Sequence, residues 1–455
     1  MTSIAFTSLF LGLVLGIHPV GVAVEGPAAA VALELDGTPI GRADRQPWAL
    51  DVDLGRDLSP HELVARAFDG SGREIARTRQ WLNVPRPPAE ATLLLERNAE
   101  GRAVATRVTW QSLLGTAPQR VSVTFDGQPL DVSDPKRIAL PDYDPDTTHM
   151  IAAEVEFSPA VSSRAGLVLG GLSRSEASSE LTGVPVRVRK SAMPPPGELQ
   201  GWFRKGSDPL RVVAVEKGPV LLIVVRDTDH MEALGKLGTG GQTTFVQSNR
   251  GSLPQFDPDY RRFETRFADA DRVRFVWPRA SRVPGSEIPT ELFDASRDFP
   301  GSIGGLHWLL TRISHPIQKV ADERFADAVA VAGLQAYAGY TRRAVVLILG
   351  RQIADASQYP PAAVRAYLAK MRVPLFVWSL ESRTADRVAA AWGPTEDVSS
   401  FAKLKVAFEK LRSELDSQQM VWIEGRHLPQ QIALGEKAQG VELVGSGAGL
   451  GGFAQ

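Results

Sequence analysis

Gly218-Pro219-Val220-Leu221-Leu222-Ile223-Val224-Val225-Arg226-Asp227-Thr228-Asp229 is the stretch on which the fold of this 455-residue chain turns. An unbroken apolar run, rich in β-branched residues and closed by two acids one residue apart, reads as a strand buried on both faces. In open α/β sheets ligands bind at the carboxyl ends of such strands, so the two acids mark a candidate site. Around this strand the chain alternates. Leu210-Arg-Val-Val-Ala-Val215 and Arg272-Val-Arg-Phe-Val-Trp277 read as strands, the second cut off by Pro278. A short helix over 306–313 and a longer one over 322–336, with acids in its first turn, follow. Ala344-Val-Val-Leu-Ile-Leu349 is a second fully buried strand, and Pro360 and Pro361 open a helix that runs to Met371. Val373 to Ser379 is a third strand, and 399–415 an amphipathic helix with Leu404, Phe408, Leu411 and Leu415 on one face. Residues 210–415 are therefore expected to form a mostly parallel sheet with helices on both sides.

Upstream the pattern is different. Short alternating segments separated by Asp-Gly turns, from about Val20 to Val84, are the signature of a small antiparallel sandwich. The next block repeats the first: Val121-Ser-Val123-Thr-Phe125-Asp126-Gly127-Gln-Pro129-Leu130 matches Val31-Ala-Leu33-Glu-Leu35-Asp36-Gly37-Thr-Pro39-Ile40 in apolar positions, turn and proline. His149-Met-Ile151-Ala-Ala153 likewise sits where His61-Glu-Leu63-Val-Ala65 sits in the first copy. A shared offset of about 90 residues points to duplication of one sandwich unit. The paired histidines fit a turn or strand-entry role, because neither has an acid or second histidine at metal-ligand spacing.

Composition narrows the function. Hydrophobic and charged fractions of 43% and 23% are those of globular protein, and a net charge of −1 gives no electrostatic reason to expect nucleic acid. The absence of cysteine excludes disulfides and thiolate chemistry. The uncharged run from Ile4 to Ile17 has the length and content of a signal-peptide core, with a buried first strand as the alternative. No later segment approaches the roughly 20 apolar residues of a membrane span. The chain then divides into 1–17, a signal peptide; 18–88 and 89–190, two β-sandwiches; 191–209, a linker around Met193-Pro-Pro-Pro-Gly197; 210–415, the α/β unit; and 416–455, a closing strand with a flexible glycine-rich tail.

The strand ending Asp227-Thr-Asp229, the helix after 322, the strand ending Ile348-Leu349-Gly350 and the helix and strand from Pro360 to Ser379 resemble a von Willebrand factor type A domain. With two immunoglobulin-like blocks ahead of it, the whole layout resembles a group of exported bacterial proteins related to that family. The resemblance implies a Rossmann-like fold with a metal-ion-dependent adhesion site, in which an Asp-x-Ser-x-Ser motif, a threonine and a later aspartate hold Mg²⁺ or Mn²⁺. Here Asp227 meets the first position, Asp229 stands at the second and Met231 at the third, where a thioether cannot serve a hard cation. Arg351 follows Gly350 where an Asp-Gly pair is customary, with Asp355 the nearest acid, and Ser314 or Asp322 supplies any remaining ligand. The implied site, Asp227, Asp229, Ser314 and Asp355, is degenerate. Alternatively, Asp227 and Asp229 cap the segment starting at His230.

Enzyme signatures are missing. No Gly-x-Ser-x-Gly elbow or His-Glu-x-x-His motif occurs, and Gly447-Ala-Gly449-Leu-Gly-Gly452 has no helix after it to cradle a phosphate. The expectation is a non-enzymatic exported protein that binds another protein. Its alternatives are a structural or assembly component of a cell-envelope complex, and a metal-dependent hydrolase working at the Asp227 end of the sheet.

Overall fold

The structure is a computed structural model that describes residues 3–445 apart from 9, 11, 86–88, 99, 113–116, 159–160, 171–172, 178–180, 190–192, 228–229, 239–244, 249–250, 255–264, 283–290, 303–304, 316–322, 340 and 351–354. Most of its regular structure is β, in several antiparallel sheets. Among the described residues no helix is long and apolar enough to cross a membrane.

In the first sandwich, Ala30–Leu35 pairs antiparallel with Thr38–Ala43 and with His61–Phe68, which in turn pairs with Glu74–Leu82. The facing sheet is Ser3–Phe6, Ile17–Glu25 and Ala49–Asp53. Alternation puts Leu63, Ala65 and Ala67 inward, against Val20, Trp48 and Val52 of the other sheet. In the stretch read as a signal-peptide core, Ser3 to Phe6 pairs with Val22 to Glu25 and the half-buried Phe10 and Val14 pack on this core, so the run is a partly covered first strand of the sandwich in the folded chain.

The second sandwich repeats the plan. Arg120–Phe125 lies between Gln128–Pro129 and Thr148–Ser158, and Leu33 opposite Ala65 in the first copy corresponds to Val123 opposite Ala153 in the second. Each copy's turn is an aspartate and a glycine in left-handed backbone, Asp36 at φ 52° with Gly37 at 82°, and Asp126 at 48° with Gly127 at 80°. Asp36 Oδ2 meets His61 Nδ1 at 2.7 Å while its Oδ1 accepts the Glu62 amide at 2.8 Å; Asp126 does the same with His149 at 2.6 Å and Met150 at 2.8 Å. Both histidines thus tie a turn to the strand beside it.

Beyond this point the structure divides the chain differently from the sequence reading. Leu181–Val188, assigned above to the second sandwich, pairs with Gln418–Glu424 from the carboxy-terminal end, Val184 opposite Val421. Val212–Glu216 and Val441–Leu443 complete that sheet, and Phe203–Lys205, Asp208–Leu210 and Ile432–Leu434 form a second one. Residues 191–209 are therefore not a plain linker, nor is 416–455 one strand and a tail: Leu199 and Phe203 are fully buried and join Val186, Ile423 and Ile432 in a third core. Residues 446–455 lie outside the described residues. The α/β unit is inserted between neighbouring strands of this third β unit.

In the α/β unit, Val220–Val225 pairs in parallel with Arg272–Arg282 on one side and Arg342–Leu349 on the other; Leu375–Ser379 and Glu396–Asp397 continue the parallel sheet. Glu291–Ala295 adds an antiparallel edge. Strand alternation feeds two cores. Leu221, Ile223 and Val225 face the helices Phe325–Ala338, Pro361–Lys370 and Ser382–Trp392, whereas Val220, Leu222 and Val224 face His230–Gly238, Gly305–Arg312 and Phe401–Ser417. Pro278 does not end its strand. It lies beyond Val276, the last residue paired with the central strand, where the register against the edge strand slips, and a bulge tolerates proline.

The first sandwich docks on this unit. Leu58 joins the core under helices 325–338 and 361–370, and the fully buried Tyr367 donates its hydroxyl to the Asn83 carbonyl at 2.9 Å.

Candidate functional site

Numbered along the chain, the five parallel strands lie in the order 2-1-3-4-5, so the direction of winding reverses between strands 220–225 and 342–349. A crevice at that switch point is where this architecture binds ligands. The first strand delivers Arg226 and Asp227 there, and His230 begins the helix that follows. Gly350 ends the third strand, and a Cβ built on it would stand 2.7 Å from His230 Nε2, so the imidazole needs glycine at that place.

These groups are buried and mostly matched among themselves. Asp227 Oδ1 accepts from Arg279 Nη2 at 3.2 Å, with side chains only 10% and 3% exposed. Arg226 is fully buried; it donates to the Asp227 carbonyl at 3.0 Å and to the Ile313 carbonyl, and its guanidinium carbon lies 5.1 Å from the centre of the Phe275 ring. Burial pushes the Arg226 pKa down to about 10, against the pull of the Asp227 charge, so it remains a cation at neutral pH. His230 is the opposite case. Burial pushes its pKa down to about 4, outweighing the Asp227 charge, so the ring is neutral at pH 7. It stacks near Phe325, centroids 6.1 Å apart, and among the described residues its Nδ1 has no hydrogen-bond partner.

Asp355 is spent elsewhere. Its Oδ1 accepts the Phe325 amide at 2.9 Å and its Oδ2 the Ala326 amide at 3.2 Å, capping helix 325–338 from a neighbouring loop. Asp327 answers from inside the helix, accepting the amides of Gln358 and Tyr359 at 3.0 and 3.1 Å and pairing with Arg324 at 2.7 Å. Ser314 is exposed, two residues past helix 305–312. Asp229 and Asp322 lie outside the described residues. Of the sequence-derived set the structure gives Asp227 a guanidinium partner and Asp355 two helix amides, and brings neither into an oxygen cage with Ser314.

Mg²⁺ requires near-octahedral oxygen ligands, and a carboxylate already paired with a buried guanidinium is a poor one. The described residues therefore do not fit the family's ion, and among them no group of three His, Asp or Glu side chains is placed to hold a metal. Sequence reasoning missed Arg279, which stands 52 residues from Asp227 behind an apparent strand end, and the pairing of the buried His315 with the partly exposed Asp294, 3.0 Å apart with the imidazole edge-on to Trp277. Neither has a local motif. Parallel pairing of strands 220–225 and 272–282 brings Arg279 towards Asp227, and Asp294 stands on the antiparallel edge strand. Beside the lip an open cleft of about 360 Å³ is lined by Asp355, Ser357, Tyr359, Pro361, Arg387 and Trp392.

No family model matches the chain, and no curated protein matches it. Among solved structures it is similar to the fibronectin(III)-like modules of Clostridium thermocellum CbhA, at 15% identity and a TM-score of 0.16, covering 17% of this chain and 92% of that one. The central fibronectin-III array of RIM-binding protein gives 9% identity and a TM-score of 0.20 over 43% of this chain and 81% of that one. The human COPII-coat protein Sec24c gives 8% and 0.25 over 48% and 39%. At this level of superposition no function is transferred from any of them. The class defined by the fold is a chain of β-sandwich modules carrying an inserted α/β unit.

Proposed function

We propose that this chain is a non-enzymatic, exported protein-binding protein, and that its α/β unit is a von Willebrand factor type A-like domain whose metal-ion-dependent adhesion site has become degenerate. The observation that carries the reading is the buried ion pair of Asp227 with Arg279 at the switch point. A cation from the chain itself neutralises the carboxylate that the family resemblance gives to a divalent ion. The same pair supports the second reading, a structural or assembly component of an envelope complex, because it ties the lip groups into the fold. A metal-dependent hydrolase draws no support from the described residues, among which no group of three His, Asp or Glu side chains is placed to hold its ion. Export rests on the composition of residues 4–17 alone, because in the folded chain part of the same run pairs and packs with the first sandwich.

Titration calorimetry with Mg²⁺ and with Mn²⁺ on the full chain and on Asp227→Ala tests the site. Neither protein is expected to give binding heat. Saturable heat in the wild type that disappears in Asp227→Ala would restore the ion and overturn the reading.

A further inference from the structure

The two copies of the sandwich unit use the same end differently. In the first copy the loop before His61 is an internal docking surface: Leu58 is 1% exposed, Ser59 Oγ accepts from the Lys370 ammonium, and the Pro60 carbonyl accepts from Gln430 Nε2 at 2.7 Å. The occupant there is a helix end of the same chain carrying a lysine. In the second copy the equivalent loop, before His149, presents Asp144, Asp146 and Thr147 to solvent. Its sandwich has a core drawn from residues 91–169 alone.

That end of the second copy carries an open cleft of about 550 Å³, with Pro129, Leu130, Pro141 and Tyr143 supplying apolar surface and Asp142 and Asp144 supplying carboxylates. Over residues 126–146 there are six aspartates against Lys136 and Arg137, so the local field is negative although the whole chain is nearly neutral. The cleft is also preorganised. His149 packs against Phe125 and Tyr143 with both centroid distances at 5.1 Å, and is held by Asp126 and the Asp144 carbonyl. Arg102 already displays the recognition chemistry available here: its guanidinium carbon lies 4.9 Å from the centre of the Tyr143 ring while it pairs with the Asp142 carboxylate, whose side chain is 96% exposed.

We infer that this end of the second sandwich docks a segment of a partner protein in which arginine or lysine alternates with apolar residues. The cation meets Asp142, Asp144 and the Tyr143 ring, and the apolar residues cover Pro129, Leu130 and Pro141. The inference rests on the reading of the chain as a protein-binding protein, but it is independent of Asp227 and of any ion at the sheet lip.

Fluorescence anisotropy of the full chain with a short labelled peptide of alternating arginine and leucine, and with a glutamate and leucine control, tests it. The arginine peptide binds and the glutamate peptide does not, and added salt weakens the binding. Asp142→Asn with Asp144→Asn weakens it about fivefold, the effect of losing two exposed charge contacts. Arg102→Ala, which releases Asp142 and the Tyr143 ring, strengthens it. Misfolding cannot produce opposite signs in two variants at one end of the same sandwich. Equal affinity in all three proteins, equal binding of the glutamate peptide, or no binding of the arginine peptide would each overturn the assignment, and none of these results would alter the metal calorimetry at Asp227.

Discussion

His230 makes the stability of the α/β unit depend on pH in a defined direction. An imidazole free in the unfolded chain titrates near 6.5, whereas burial beside the Arg226 guanidinium holds it at about 4 in the folded protein, the Asp227 charge notwithstanding. A histidine with a depressed folded pKa contributes stability that is complete above the unfolded value and is lost as pH falls towards the folded one. From the two pKa values the loss is about 2 kcal/mol by about pH 5 and about 3 kcal/mol by about pH 4. In His230→Leu this component is absent, and at neutral pH the variant should lie within about 1 kcal/mol of the wild type, since a neutral ring is exchanged for an apolar group of similar bulk. Several domains unfold in this chain, so a global transition would blur the effect. Hydrogen exchange read on peptides from strands 220–225 and 342–349 isolates it. Protection in the wild type should fall faster than in His230→Leu as the solution is acidified below about pH 6.5. Parallel pH curves for the two proteins would refute the claim that this imidazole is held buried and neutral.

Four further outcomes follow from the contacts. Asp227→Ala removes the Asp227 carboxylate from the buried Arg279 guanidinium and should cost about 3–5 kcal/mol, read as lost exchange protection at strand 272–282. Asn83 is buried in left-handed backbone at φ 56° and bonds three main-chain groups, the Val14 amide, the Val14 carbonyl and the Ser59 carbonyl, each at 2.7 Å; Asn83→Ala should cost roughly 3 kcal/mol in urea unfolding and release the backbone at Val14 first. A Cβ at Gly333 would meet Leu368 Cδ1 at 2.7 Å where two helices cross, so Gly333→Val should lower the thermal midpoint with a penalty of about 1–3 kcal/mol. His149 shifts the other way from His230: burial lowers its pKa, but the Asp126 hydrogen bond, the Asp144 carbonyl and both acidic charges outweigh this and raise it above the ordinary value. The stability it contributes is therefore complete below pH 6.5 and declines as pH rises through the folded pKa, and exchange of strand 148–158 should show that decline in the wild type and lose it in His149→Gln.

Much of the architecture was legible in the residues themselves. Continuous β-branched runs at 220–225 and 344–349 call for burial on both faces, Pro360 and Pro361 announce a helix start, and the repeated Asp-Gly turn with its downstream histidine marks one unit used twice. These are properties of short windows, where side-chain periodicity and backbone preference act within a few residues. Tertiary structure alone decided that strand 181–188 pairs with 418–424, that the α/β unit interrupts a third β core, and that Asp227 meets Arg279 instead of an oxygen cage. Hydrogen bonds between strands are made by main-chain groups that every residue carries, so a segment's sequence says that it will pair and leaves open with which distant segment. The charge a carboxylate finds opposite it is settled by that pairing, and no window around Asp227 contains it.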